Sequence, residues 1–199
     1  TATPVPPTAA PAATATPVPP TAVPPTATPA KPRLKCTTPI KIGLITDKSG
    51  ALASYGAMTE RAFLLGWEYL AGAPGKDNVF KVDDCEIQVT VVDDKGVVAT
   101  TATVARELIE VKKVDILVGT VSSGSTATLQ GIAKENKKVL VVAPAASNDI
   151  TGKDFNEYTF RTSRNNYQDY INLCQYLTTT FKKFVQIAPD YAFGYRGAP

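Results

Sequence analysis

From residue 36 onward, short apolar runs alternate with longer amphipathic stretches. Residues 40–45, Ile-Lys-Ile-Gly-Leu-Ile, predict a strand, followed by a loop over 46–54 that contains Lys48-Ser49-Gly50. Met58, Ala62, Leu65 and Tyr69 then recur at helical spacing, with Phe63, Leu64 and Trp67 beside them, and predict a helix over 55–70. The glycines and proline of 71–75 stop it. Residues 79–82 and 87–92 read as two strands around Asp83-Asp84, a hairpin. A second helix spans 97–111 with Val104, Leu108 and Val111 inward, then a strand 116–119, a third helix 123–136 and a nearly continuous apolar strand 139–142. Strands apolar on both faces, alternating with helices, predict an α/β fold with a doubly wound parallel sheet. Such a sheet puts its binding crevice at the carboxyl ends of the strands.

After Pro144 the alternation pauses. Residues 158–162 read as a short extended crossing segment, 165–179 as a helix and 184–188 as a strand, before the loop Pro189-Asp190-Tyr191-Ala192-Phe193-Gly194. A second sheet begins there.

Composition separates the first residues from all of this. Residues 1–34 hold 11 of the 16 prolines and no glycine, and TATPVPPTA occurs at 1–9 and again at 14–22. Proline lacks an N–H and restricts φ, so this tract is expected to be an extended polyproline II linker, at 1–35, with the composition of an O-glycosylated stalk. A low-complexity tract opening the chain also suggests that residues upstream have been removed. Charge divides in the same way. Lys31, Arg33 and Lys35 supply the net +3, and the remaining basic and acidic side chains cancel. A nucleic-acid partner is not expected, because phosphate recognition needs basic residues clustered on the folded surface. There is no histidine, which removes Ser-His-Asp and Cys-His catalysis and His-ligated zinc. No run of 18 apolar residues is long enough to cross a membrane.

Two loops follow strands and open toward helices. Gly119–Thr126 brings hydroxyls and a glycine to a helix N-terminus, a ready site for a carboxylate; plain N-capping by Ser122 or Ser123 is the alternative. In the loop 143–148, the small residues Ala145, Ala146 and Ser147 let a ligand approach the backbone; an ordinary strand-to-helix turn is the alternative. Neither a P-loop nor a GxGxxG after the first strand is present, so no nucleotide or other cofactor is expected. Asp83-Asp84 reads as a hairpin cap, and Asp93-Asp94 sits where it could reach a crevice; neither has the further ligands a metal needs. Cys36 and Cys85 each precede a strand. If those strands are parallel neighbours, a disulfide is geometrically possible and fits an oxidising compartment. Cys174, among Ile171, Leu173 and Leu177, reads as a buried free thiol.

These segments together resemble a known family. IKIGLITDKSGALASYG at 40–56 resembles the opening of the type I periplasmic binding proteins of the branched-chain amino-acid (Leu/Ile/Val-binding) ABC transporter family. The likeness continues, in order, through VTVVDD at 89–94, VDILVGTVSSGSTA at 114–127, VLVVAPAASN at 139–148, YTFRT at 158–162 and PDYAFGYRGA at 189–198. The resemblance implies an N-terminal lobe over 36–162 and the start of a second lobe over 163–199. It implies a two-lobed clamshell that captures an amino acid or similar small polar solute, without any reaction, and delivers it to a membrane permease.

On this chain, the family's carboxylate-binding serine maps to Ser123, with Ser122 beside it. Its small-residue loop maps to Ala145, Ala146 and Ser147, and the aromatic wall of its first loop to Tyr55. Its second-lobe aromatic maps to Phe193, which lacks the hydroxyl and keeps only a stacking role. The resemblance further implies a monomer outside the cytoplasm, tethered by a lipid-anchored N-terminus. Two other functions fit the fold. One is a ligand-sensing extracellular domain. The other is an enzyme, disfavoured by the missing histidines and phosphate loop.

Overall fold

The computed structural model describes residues 33–196, so the expected linker lies almost entirely outside the described residues. The elements run β1 (Ile40–Thr46), α1 (Ala53–Ala71), β2 (Val79–Val82), β3 (Cys85–Asp93), α2 (Val98–Glu110), β4 (Ile116–Val118), α3 (Ser123–Glu135), β5 (Val139–Val142), a 3-10 turn (Asn148–Thr151), β6 (Thr159–Arg161), α4 (Asn166–Thr180) and a one-turn α5 (Ala192–Tyr195). One six-stranded sheet has the order β2-β3-β1-β4-β5-β6. All neighbours pair in parallel except the β2–β3 hairpin, which is antiparallel.

β1 lies between β3 and β4, and its alternate side chains enter two separate cores. Ile45 joins Leu108, Leu117, Leu129 and Leu140 under α2 and α3. Ile42 and Leu44 join Phe80, Ile87 and Val118 under α1, against Phe63, Leu64 and Trp67. Fully burying each such side chain contributes about 1.5–3 kcal/mol. α1 closes on Gly72, whose positive φ of 71° lets its N–H donate to the Glu68 carbonyl at 2.9 Å.

Several expectations change. The stripe Met58, Leu65 and Tyr69 faces solvent, while Phe63, Leu64 and Trp67 make the buried face of α1. Val111 sits past the end of α2 and is 68% exposed, because the chain leaves the helix before that residue reaches the sheet. Within the expected extended segment 158–162, Thr159–Arg161 pair with β5 as strand β6. Residues 184–188 are not a strand: no described strand lies alongside to accept their backbone hydrogen bonds, and Val185 and Ile187 are almost wholly exposed. Cys174 is exposed, because α4 buries only Asn166 and leaves its apolar residues Ile171, Leu173 and Tyr176 exposed as well.

Cys36 and Cys85 are joined in a disulfide across 49 residues of sequence, Cα to Cα 5.0 Å. It ties the segment entering β1 to the start of β3. Beside it, the Leu34 N–H donates to the Asp83 carboxylate at 2.9 Å, so Asp83 holds the entering chain as well as the hairpin turn. Closing a loop of this length restricts the unfolded chain. The Cys36→Ala/Cys85→Ala variant is expected to unfold with a stability loss of about 2–4 kcal/mol in denaturant titration. Alkylation of the denatured protein without reductant should modify one thiol; modification of three would show that the bridge is absent.

Candidate functional site

The loops after β1, β4 and β5 converge at the carboxyl edge of the sheet, and buried polar side chains hold each of them. After β1, the buried Asp47 carboxylate accepts the N–H groups of Ser49 at 3.2 Å, Gly50 at 2.5 Å and Leu52 at 2.8 Å. The loop therefore turns around one side chain and delivers Leu52 and Tyr55 to the edge. Asp93 accepts from the Lys48 and Lys95 N–H groups, both at 2.8 Å, and from the Ser49 hydroxyl at 2.5 Å. Asp94, fully buried, accepts from the Gly96 N–H and the Thr101 hydroxyl, both at 3.0 Å. Both acids thus anchor loops. Among the described residues no group of three or more His, Cys, Asp or Glu could hold a metal ion.

Burial pushes the Asp94 carboxyl above its ordinary value, against the pull of its Gly96 and Thr101 hydrogen bonds; the nearby charges of Asp47 and Asp93 add to the rise.

After β4, Gly119 takes a positive φ of 129° where a Cβ would lie 2.1 Å from the Ile45 carbonyl oxygen, so only glycine fits. Thr120 and Thr126 both donate their hydroxyls to the Ser122 carbonyl, at 3.0 and 2.9 Å. Ser122 occupies the N-cap position of α3, but its side chain makes no capping hydrogen bond. Ser123 is buried, and its oxygen accepts the Ser147 N–H at 3.2 Å. The two candidate loops are therefore tied to each other. The second is tied onward: Arg161 donates to the Ser147 carbonyl at 2.7 Å, and the Asn166 N–H to the Ala146 carbonyl at 2.9 Å. Asn166 then donates its side-chain amide to the Phe193 carbonyl at 2.7 Å, which brings the segment 189–195 back over the sheet edge.

The result is an open cavity of about 260 Å³. Of the residues singled out from sequence, Tyr55, Ala145, Ala146 and Phe193 line it. Ser122, Ser123 and Ser147 do not; they are buried in the framework behind the wall. Leu52, Val121 and Pro144 add apolar surface, and Pro189 and Tyr191 close the far side. Tyr191, not singled out from sequence although it lies in the same motif as Phe193, stacks its ring on that of Phe193 at 6.0 Å and 27°. Burial raises the Tyr191 hydroxyl above its usual value, with Tyr55 close enough to add to the effect. Arg164, which no pattern marked, supplies the cation of the lining. Its guanidinium pairs with Asp169 at 3.3 Å and donates to the Pro144 carbonyl at 3.4 Å. Among the described residues the lining contains no acidic side chain.

The model of the periplasmic binding protein family matches residues 39–199. Among solved structures, an ABC-type branched-chain amino acid transporter from Rhodopseudomonas palustris CGA009 is 36% identical, with a TM-score of 0.64 over 79% of this chain and 41% of that one. A solute binding protein of an R. palustris ABC transporter, in complex with benzoate, is 28% identical with a TM-score of 0.69, over 80% of this chain and 42% of that one. The substrate binding protein LivJ of a Streptococcus pneumoniae branched-chain amino acid transporter, in complex with isoleucine, is 28% identical with a TM-score of 0.55, over 65% and 35%. The chain thus spans about two-fifths of the length of these proteins. No curated protein matches it.

The anchoring role of Asp94 has a pH signature. A carboxyl whose folded pKa is raised stabilises the fold below the ordinary carboxylate range and loses that contribution as pH rises through the raised value. In Asp94→Asn the titration is gone. Relative to the parent protein, the variant is expected to gain stability as pH rises above the ordinary carboxylate range, about pH 4. Denaturant titrations at several pH values check this, and a stability difference independent of pH would refute it.

Proposed function

The chain belongs to the periplasmic binding protein family, and from that premise we propose that it is the solute-capturing part of an extracytoplasmic receptor serving an ABC importer. The supporting observation is the cavity itself. It lies where the carboxyl ends of β1, β4 and β5 meet the segment 189–195, with Ala145 and Ala146 leaving the backbone open to a ligand. Capture is reversible and no reaction occurs. The solute is a branched-chain amino acid or a similar small polar molecule, passed on to a membrane permease. A tether by a lipid-anchored N-terminus fits the proline-rich stretch that precedes the lobe.

The buried serines still have a role in this scheme. Ser123 Oγ accepts from Ser147, so its own proton remains to be donated, and a ligand carboxylate that reaches behind the cavity wall is the natural acceptor. Ser122, whose hydroxyl caps nothing, stands beside it at the N-terminus of α3, where a negative charge is favoured. Tyr55 and Phe193 then flank the apolar body of the solute. With one wall wet, such charge-assisted bonds are weak, and a closing second wall strengthens them by excluding water.

A second reading concerns the solute. Among the described residues the lining joins a cation, Arg164, to the aromatic side chains Tyr55, Tyr191 and Phe193. That favours an aromatic monocarboxylate, the class of ligand held by the benzoate-bound relative. A sensing domain on the same fold would use the cavity in the same way, without a permease.

Calorimetric titration of the complete protein with leucine, isoleucine, benzoate and 4-hydroxybenzoate is expected to show binding of one class. Ser123→Ala should weaken it by about 1–3 kcal/mol if the hydroxyl bonds a charged ligand group. Unchanged affinity would reduce Ser123 to a strut between loops, and no binding by any of the four would reject both solute classes.

A further inference from the structure

From the outer face of α1 we infer a self-association surface, on which a second copy of this chain docks its own α1 antiparallel in a weak two-fold dimer. The apolar residues of α1 fall into two sets. Phe63, Leu64 and Trp67 cover the sheet, with the Phe63 and Trp67 rings edge to face at 6.1 Å. Met58, Ala62, Leu65 and Tyr69 follow the alternating four–three–four spacing of a coiled-coil seam. At 3.6 residues per turn that seam lies on the opposite side of the helix, away from the sheet. It is solvent-exposed: Met58 65%, Leu65 64%, Tyr69 85%. A continuous apolar stripe about 16 Å long marks an interaction site better than it suits a solvated helix face.

The flanking charges identify the occupant. Arg61 and Glu68 precede Ala62 and Tyr69 on the same edge of the seam, seven residues apart. Neither side chain has an ion-pair partner among the described residues, whereas Glu60 is paired with Lys48 at 3.0 Å. A two-fold axis crossing the helix between residues 63 and 64 sets Ala62 against the partner's Leu65 and Met58 against the partner's Tyr69. Small Ala62 thus meets the larger Leu65, and the flexible Met58 side chain meets the Tyr69 ring. The same rotation brings Arg61 beside the partner's Glu68, and Glu68 beside the partner's Arg61. The opposite flank carries Thr59 and Gly66, and a Cβ at Gly66 would meet nothing within 4 Å, so that edge is open to close approach. A parallel pairing would place Arg61 opposite the partner's Gly66 and leave both charges unmatched. The charge pattern therefore selects the antiparallel arrangement and a second copy of the same helix.

The contact is small. Two to three turns per helix bury less than the roughly 1,200 Å² of a stable interface, so a dissociation constant on the order of 0.1 mM is expected. The inference does not depend on which solute the cavity takes.

Sedimentation equilibrium of the full chain up to about 1 mM tests it, since that brackets the expected constant. A Cys174→Ser background keeps the exposed thiol from cross-linking copies. A monomer–dimer equilibrium is expected, and Leu65→Glu should weaken it at least about tenfold by placing a charge in the seam. Arg61→Glu or Glu68→Arg turns two attractions into repulsions and should weaken it about tenfold, while the double swap Arg61→Glu/Glu68→Arg should return to within about twofold of the parent. Arg61 and Leu65 are exposed and Glu68 is half-buried, and far-ultraviolet circular dichroism confirms that each variant is folded. A strict monomer at the highest concentration, or a dimer indifferent to Leu65→Glu, overturns the surface. A dimer that Leu65→Glu breaks but the double swap fails to restore overturns the antiparallel pairing.

Discussion

A strand buried on both faces must be covered from both sides, and β1 imposes that requirement on the whole lobe. Leu44 and Ile45, adjacent in sequence and fully buried, point into different cores. Neither face can be left to water, so α1 covers one and α2 with α3 the other. Because the paired strands around β1 are parallel, their carboxyl ends lie at one edge, and the connections must all start there. The cavity is the space between those connections. Its position follows from the burial of β1 before any ligand chemistry is considered.

The polar residues at that edge serve mainly the backbone. Loops that pass close to buried strands have N–H and C=O groups cut off from solvent, and each needs a partner. Asp47 satisfies three such N–H groups, Thr120 and Thr126 share one carbonyl, and Ser123 joins the loop after β4 to the loop after β5. A hydroxyl-rich loop can thus look like an open ligand site in sequence while most of its hydrogen-bonding capacity is spent on the framework. What reaches the cavity surface is largely apolar, with Arg164 supplying the charge.

Much of this was legible from pattern alone. The hairpin, the order of strands and helices, the two-sided burial and the small-residue loop all followed from alternation and turn chemistry. So did Tyr55, Ala145, Ala146 and Phe193 as neighbours in space, through the family resemblance. Periodicity failed where it had to choose between two apolar faces of one helix. In α1 the regular stripe through Met58, Leu65 and Tyr69 is the exposed one, and the bulkier Phe63, Leu64 and Trp67 pack on the sheet. It failed again at 184–188, where a β-prone run has no neighbouring strand among the described residues. Arg164 was invisible because a single arginine after an edge strand carries no periodic or motif signal.

By itself the sequence determined the class of the fold and the expectation of a crevice at the strand ends, because these depend on local periodicity and residue type. The tertiary structure decided which face of α1 is buried and that Ser123 joins the loop after β4 to the loop after β5. It also decided that Cys36 meets Cys85 and that an arginine and two tyrosines share one cavity. Each of those outcomes depends on distances between residues far apart in the chain, which only the register and packing of the sheet set.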